Sequence, residues 1–166
     1  SVGLIFGMNL VTISEALGEY HAPPGRLRIL DGIKKTTIID DTYNANPGSM
    51  EAAIITLTSL KGKNRGFLIA GDMLELGEHS APMHQKIGAV AARSKIAGLY
   101  VTGKYAEDVA KGALGEHMNP NDIFKGTHEE IIGAVSDRLN AGDWVLVKGS
   151  RGMTMEKVVQ ALLNQF

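Results

Sequence analysis

GFLIAGDMLELGEHSAPMHQKIGAVAARSKIAGLYVTGK, residues 66–104, decides the fold. It starts on a short apolar run, Gly66 to Ala70, and crosses a polar loop bounded by glycines. Helical periodicity follows from Ser80 to Lys95, and a second apolar run from Leu99 to Thr102. Lengths separate the two element types, since strands run to about 4–8 residues and helices to about 10 or more. Strand, helix, strand in that order implies a right-handed crossover between parallel strands. The alternation continues in both directions. Asp122 to Phe124 and Trp144 to Lys148 read as strands, while Ser49 to Leu60, Tyr105 to Leu114, Thr127 to Asn140 and Thr154 to Phe166 read as amphipathic helices. Before them, Arg26 to Leu30 and Ile33 to Asp40 flank Asp31-Gly32, a pair that supplies the positive φ of a tight hairpin turn. The expected fold is α/β: a Rossmann-like, mostly parallel sheet of about six strands with an antiparallel edge hairpin and helices on both faces.

Residues 1 to 22 stand apart. Their pattern is helical, with Thr12-Ile13-Ser14-Glu15 reading as a capping box ahead of Ala16 and Leu17. Pro23-Pro24-Gly25 then stops any helix. The boundary is therefore expected here, with residues 1–22 belonging to something upstream and residues 23–166 forming the domain. Ser1-Val2-Gly3 has neither a Met nor a basic region and reads as a cut end rather than a native start or a signal peptide.

Composition removes several function classes. The 166 residues carry 17 Lys and Arg against 18 Asp and Glu, and 44% are hydrophobic. That is enough for a core and too balanced for a nucleic-acid footprint, which needs surplus cations. The absence of Cys leaves no disulfide framework, thiolate zinc site or Cys nucleophile, so a cytoplasmic location is the default expectation. No run approaches the roughly 20 apolar residues of a membrane span. Ala89 to Ala92 is cut short by Arg93 and Lys95.

In such sheets ligands bind beyond the carboxyl ends of the strands, so the loops that follow the strands are the places to search. Asp40-Asp41-Thr42-Tyr43-Asn44-Ala45-Asn46-Pro47-Gly48-Ser49-Met50 leads into a helix expected to be capped by Ser49, a start that favours an anion. Asp41 can accept both hydroxyls of a ribose, with Tyr43 and Asn44 or Asn46 placed for a base. The alternative is a polar turn whose Asp and Asn bond their own backbone. In Gly71-Asp72-Met73-Leu74-Glu75-Leu76-Gly77, Asp72 and Glu75 could hold an ammonium group or help hold Mg²⁺. Alternatively the acids are solvated while Met73, Leu74 and Leu76 cover the sheet edge. Lys148-Gly149-Ser150-Arg151-Gly152 opens the last expected helix and could cradle an anion or carboxylate, with Arg gripping in two bonds and Lys acting as a point charge. The alternative there is a surface turn.

Other matches fail. Gly98 to Lys104 fits GxxxxGK, but Tyr105 replaces the Mg²⁺-holding Ser or Thr and the intervening residues read as a strand. No GxGxxG occurs. His21, His79, His84, His117 and His128 form no metal-ligand spacing and read as surface or packing residues, and the Met residues as core filler.

Taken in order, GRL at Gly25 to Leu27, DDTYNANPGSM at Asp40 to Met50, AGDMLELGEHS at Ala70 to Ser80 and VLVKGSRGMTMEKVV at Val145 to Val159 resemble the C-terminal domain of the Mur ligases. Within that family they are most similar to the type that adds D-Ala-D-Ala. The resemblance implies an ATP-dependent amide ligase of peptidoglycan synthesis, which joins D-Ala-D-Ala to UDP-MurNAc-tripeptide through an acyl phosphate. It implies that Arg26 reaches ATP from the hinge and Asp41 holds the ribose, with Tyr43, Asn44 and Asn46 lining the nucleotide side. Asp72, Glu75, Lys148, Ser150 and Arg151 would face the dipeptide. Residues 1–22 would be the last helices of the preceding ATPase domain. The family's P-loop, Mg²⁺ ligands and carbamylated Lys belong to that domain, and none of those motifs occurs in this sequence. No catalytic or metal-ligating residue is thus expected in this chain, which alone should be an inactive monomer with weak ATP affinity. Two other function classes stay open on residue patterns: a nucleotide-binding oxidoreductase, which lacks its glycine fingerprint here, and a non-catalytic interaction module.

Overall fold

The computed structural model describes residues 2–19 and 22–163. Ser1, His21 and the expected end of the last helix, 164–166, lie outside the described residues. Two short helices come first, α1 (Val2–Ile5) and α2 (Leu10–Gly18). The cap of α2 is Asn9, whose side chain accepts from Thr12 N at 2.9 Å. This corrects the expected capping box, because Thr12 to Glu15 fall inside the helix. None of residues 2–19 is buried.

The strands are β1 (Arg28–Gly32), β2 (Thr36–Asp41), β3 (Gly66–Ala70), β4 (Gly98–Val101), β5 (Ile123–Lys125) and β6 (Trp144–Lys148). They form one 6-stranded sheet in the order β1-β2-β6-β3-β4-β5. Only β1 runs antiparallel to its neighbour, with Ile29 opposite Ile39 and Gly32 opposite Thr36. The remaining pairs are parallel, as the alternating pattern requires. The hairpin is real, but its turn is displaced from the expected one. Asp31 and Gly32 end β1, and the chain reverses through a 3₁₀ turn at Ile33–Lys35 with Lys34 and Lys35 at φ 55° and 61°. Gly32 is needed for space, since a Cβ there would sit 2.5 Å from Thr36 Oγ1 and 2.7 Å from Ile38 Cγ1.

Helices α3 (Pro47–Leu60), α4 (Ser80–Arg93), α5 (Ala106–Gly115), α6 (His128–Arg138) and α7 (Glu156–Leu162) cover the sheet. Alternation along each strand sends side chains to opposite faces. Ile39, Leu68, Leu99, Val101 and Leu146 pack with residues of α3, α4 and α5. Ile38, Phe67, Ile69, Tyr100, Val145 and Val147 pack with residues of α6 and α7. On the first face α4 and α5 nearly touch backbones: a Cβ on Gly88 would lie 1.8 Å from Val109 O, and one on Gly112 1.8 Å from Gln85 O.

Two helix starts differ from expectation. Asn46, not Ser49, is the N-cap of α3; its side chain accepts from Ser49 N while the Ser49 hydroxyl accepts from Asn46 N, so Ser49 is the far half of a capping box. Helix α7 begins at Glu156. A 3₁₀ turn, Arg151–Met153, and Thr154 at φ 50° come between it and β6, so the Lys148 to Gly152 loop does not open directly onto a helix start.

Candidate functional site

Strand order locates the site. The helices after β2 and β3, α3 and α4, lie on one face, whereas the helix after β6, α7, lies on the other. Because β6 sits between β2 and β3, the connections diverge on both sides of β6. Such a switch point leaves a crevice at the carboxyl ends of the strands. The three loops singled out in the sequence, after β2, β3 and β6, meet there.

Two cavities open between them. One, of about 450 Å³, is lined by Arg26, Asp41, Tyr43, Asn44, Asn46 and Lys148 among others. The second, of about 630 Å³, is lined by Tyr43, Asn44, Asn46, Glu75, Ser150 and Arg151 among others. Both are of small-ligand size, and Tyr43, Asn44 and Asn46 form a wall common to the two.

The first cavity is built from the end of β2. Adjacent residues on a strand point to opposite sides, so Asp40 and Asp41 divide the work. Asp40 is buried; one oxygen accepts from Gly25 N at 3.0 Å, the other from Thr42 N at 3.3 Å and Thr42 Oγ1 at 2.7 Å. Tyr43 N donates to Gly25 O at 2.9 Å, and Gly25, at φ 76°, has no room for a Cβ against Tyr43 N. The segment after Pro24 is thus welded to the loop after β2. This brings the Arg26 guanidinium to 4.1 Å from the centre of the Tyr43 ring, a cation–π stack at the cavity wall. Asp41 accepts from Leu27 N at 3.2 Å and from Lys148 Nζ at 2.5 Å. Asn44 Oδ1 accepts from Ala45 N at 2.8 Å.

The second cavity rests on a stitched floor. Ser150 is buried; its hydroxyl accepts from Leu74 N at 2.9 Å and donates to Ala45 O at 3.3 Å, joining all three loops. Glu75 is exposed and held at φ 66°, and Arg151 is exposed beside it on the lining. Left-handed backbone costs a non-glycine residue about 1–2 kcal/mol; Glu75 directly follows Met73 and Leu74, whose amides are both held by side chains. His84, buried on α4, accepts from Met73 N at Nε2 (2.8 Å) while its Nδ1 lies 2.7 Å from Ser80 O. That pattern places the ring proton on Nδ1 and leaves Nε2 a pure acceptor. Its 3.8 Å approach to Asp72 is accordingly not an ion pair. The ring also stacks on Tyr105, with centroids 4.6 Å apart.

Not every expected site residue faces a cavity. Asp72 is buried and lines neither; its carboxylate accepts from Lys104 N at 2.7 Å and Tyr105 N at 3.1 Å, holding the loop before α5. The fold therefore commits this carboxylate to backbone amides, apart from the two cavities that the other loop residues line. Lys148 lies on the Arg26 and Asp41 side, not with Glu75 and Arg151. Asp40 emerges as a residue that sequence reading left unassigned, and His84, read there as a surface or packing residue, is buried and holds the Met73 amide. Strand alternation was the available signal for Asp40, while nothing local marks His84, which acts on a residue one loop away. Among the described residues no group of three His, Asp or Glu could hold a metal ion, and no helix is long and apolar enough to cross a membrane.

The arrangement defines a doubly wound α/β domain with paired cavities at its switch point. The chain belongs to the Mur ligase family, matching the family's glutamate ligase domain over residues 25–151. It is 34% identical over 165 residues to the UDP-N-acetylmuramoyl-tripeptide--D-alanyl-D-alanine ligase of Bacillus subtilis, covering 99% of this chain and 36% of that protein. Identity to the Escherichia coli enzyme of the same name is 32%, covering 98% and 34%. Among solved structures, the MurF ligase of Thermotoga maritima in complex with ADP superposes with a TM-score of 0.77 at 29% identity, covering 96% of this chain and 35% of that one. A MurF structure from Acinetobacter baumannii gives 0.78 at 28%, covering 95% and 34%. The chain spans about a third of the length of the curated relatives it matches.

Proposed function

We propose that this chain is the lid and acceptor-binding domain of an ATP-dependent amide ligase that joins D-Ala-D-Ala to UDP-MurNAc-tripeptide in the cytoplasm. One observation carries the reading: two ligand-sized cavities share the Tyr43, Asn44 and Asn46 wall at the switch point. A ligase of this kind must bring a phosphate donor and an amine acceptor to one carbonyl, and adjoining cavities on a rigid sheet give that proximity.

In this reading the tripeptide carboxylate attacks the γ-phosphorus of ATP, releasing ADP and forming an acyl phosphate. The amine of D-Ala-D-Ala then attacks the acyl carbon, and phosphate leaves with the amide formed and a proton released. The chain's residues bind and orient. The Asp41 carboxylate accepts ribose hydroxyls, and Arg26, already stacked on Tyr43, meets nucleotide phosphate. Glu75 faces the dipeptide ammonium and Arg151 its carboxylate, with Ser150 fixing the floor between them. Asn44 and Asn46 line the nucleotide side of the wall. Mg²⁺ would be held mainly by the preceding domain, and no step here depends on it. Residues 1–22 are assigned to that ATPase domain, a reading supported by the exposed apolar side chains of Val2, Leu4, Ile5, Phe6, Leu10 and Val11.

The test is ADP release that requires both UDP-MurNAc-tripeptide and D-Ala-D-Ala, measured on the protein joined to its ATPase and UDP-sugar domains. No release from that full-length protein refutes the reading.

A further inference from the structure

Lys148 is enclosed at 2% exposure, whereas Arg26 and Arg151 are exposed. Its Nζ donates to Asp41 Oδ2 at 2.5 Å and to the Asn44 carbonyl at 2.9 Å. Its own carbonyl accepts from Gly71 N at 2.9 Å. A single residue at the end of the central strand therefore joins the loops after β2, β3 and β6. Asp41 belongs to one cavity and Asn44 to the wall common to both.

We propose that Lys148 is a positioning residue that couples the two cavities, and that it does not contact the acceptor. This rests on the nucleotide-and-acceptor reading above. A carboxylate offers about four acceptor positions, and the bonds from Leu27 N and Lys148 Nζ take one on each Asp41 oxygen. Each oxygen keeps a free lone pair, so Asp41 can accept two sugar hydroxyls while Lys148 stays in place. The same ammonium holds the Asn44 carbonyl, so the pose of Asp41 and the position of the common wall are not independent. An occupant that presses on the wall from the acceptor side changes the Asp41 pose through Lys148, and a nucleotide on Asp41 stiffens the wall for the acceptor. Without the ammonium, Asp41 turns about its side-chain torsions and the wall loses a charge-assisted bond.

The experiment uses the full-length protein and isothermal titration with ADP, in the presence and absence of saturating D-Ala-D-Ala, on wild type, Lys148→Met, Asp41→Asn and the double variant, each with its thermal melt. In wild type the dipeptide shifts ADP affinity. In Lys148→Met, ADP binds about tenfold or more weakly, the size of one charge-assisted bond. The dipeptide-induced shift disappears, and dipeptide affinity measured alone stays within about twofold. Adding Asp41→Asn to Lys148→Met costs less than it does in wild type. Lys148→Met that binds ADP normally, or that loses dipeptide affinity instead, overturns the proposal. If Lys148→Met does not fold, Asp41→Asn decides: it removes the charge that anchors Nζ, so the dipeptide-induced shift must shrink, and an undiminished shift overturns the proposal. Failure of the underlying reading looks different, as wild type itself then shows no ADP binding or no dipeptide-dependent product.

Discussion

Replacing Asp72 separates a structural carboxylate from a ligand-binding one. Its two oxygens accept from Lys104 N at 2.7 Å and Tyr105 N at 3.1 Å, and the side chain is buried. Hydrogen bonds to a charged group contribute about 1.5–3 kcal/mol each, and leaving a buried partner unmade adds to the loss. Lys104 is exposed and Tyr105 partly so; water can therefore rehydrate one amide more easily than the other. Asp72→Ala is expected to lose about 2–4 kcal/mol. Asp72→Asn keeps one acceptor but turns an amide N–H toward the second backbone N–H, and is expected to lose about 1–3 kcal/mol. In a chain of this size each kcal/mol moves the melting temperature by about 2–4 °C, so Asp72→Ala should melt about 5–15 °C lower. Scanning calorimetry and urea titration measure this on the purified chain, and steady-state kinetics on the full-length protein gives KM for D-Ala-D-Ala. Melting within about 1 °C of wild type, together with a raised KM for the dipeptide, would refute the structural assignment and return Asp72 to the ligand side.

Gly88→Ala drives a Cβ to within 1.8 Å of Val109 O and should lose at least about 2 kcal/mol in urea unfolding. Gly133→Ala on α6 meets nothing within 4 Å and should gain about 0.5–1 kcal/mol. Equal effects at the two sites would contradict the close helix crossing. Burial pushes the Tyr100 phenol up, an effect that the neighbouring Arg138 guanidinium partly offsets, and among the described residues no hydrogen bond of ordinary geometry reaches the buried hydroxyl. Tyr100→Phe should therefore gain about 1 kcal/mol at neutral pH. Above the unfolded phenol value of about 10, the unfolded chain loses this proton while the folded chain keeps it. Stability then falls as pH rises, and Tyr100→Phe should flatten that alkaline limb in pH-dependent melts. Glu75→Gly relieves a left-handed residue at φ 66°, so melting should hold or rise by up to about 3 °C while KM for D-Ala-D-Ala increases. A lower melting temperature with KM unchanged would show that the carboxylate is structural.

Strands β3 and β6 were legible to the residue, since Gly66 to Ala70 and Trp144 to Lys148 are apolar runs whose short length separates them from helices. The hairpin was legible as a pairing but not in its turn. Asp31-Gly32 carries the local turn signal, yet Gly32 was selected for its missing Cβ beneath Thr36 and Ile38, and lysines took the positive φ values instead. Ser49 was recognised at the start of α3, but Asn46 three residues earlier has the extended backbone a cap requires. At the site, Arg26, Asp41, Tyr43, Asn44 and Asn46 do line one cavity. Asp72 and Lys148 looked like their polar neighbours in sequence and differ only in which backbone amides and carboxylates the fold brings to them.

Periodicity, length and glycine placement are properties of the chain itself, and they determined the α/β class, the parallel sheet and the three loops worth searching. Tertiary structure decided what those loops do. Because β6 inserts between β2 and β3, loops separated by tens of residues become neighbours, and a carboxylate or ammonium in one is claimed by the backbone of another. Burial makes an unclaimed charge costly, so each polar side chain at the switch point either finds an internal partner, as Asp40, Asp72 and Lys148 do, or stays exposed at a cavity, as Arg26, Glu75 and Arg151 do. That division depends on distances across the sheet, which no local pattern of residues encodes.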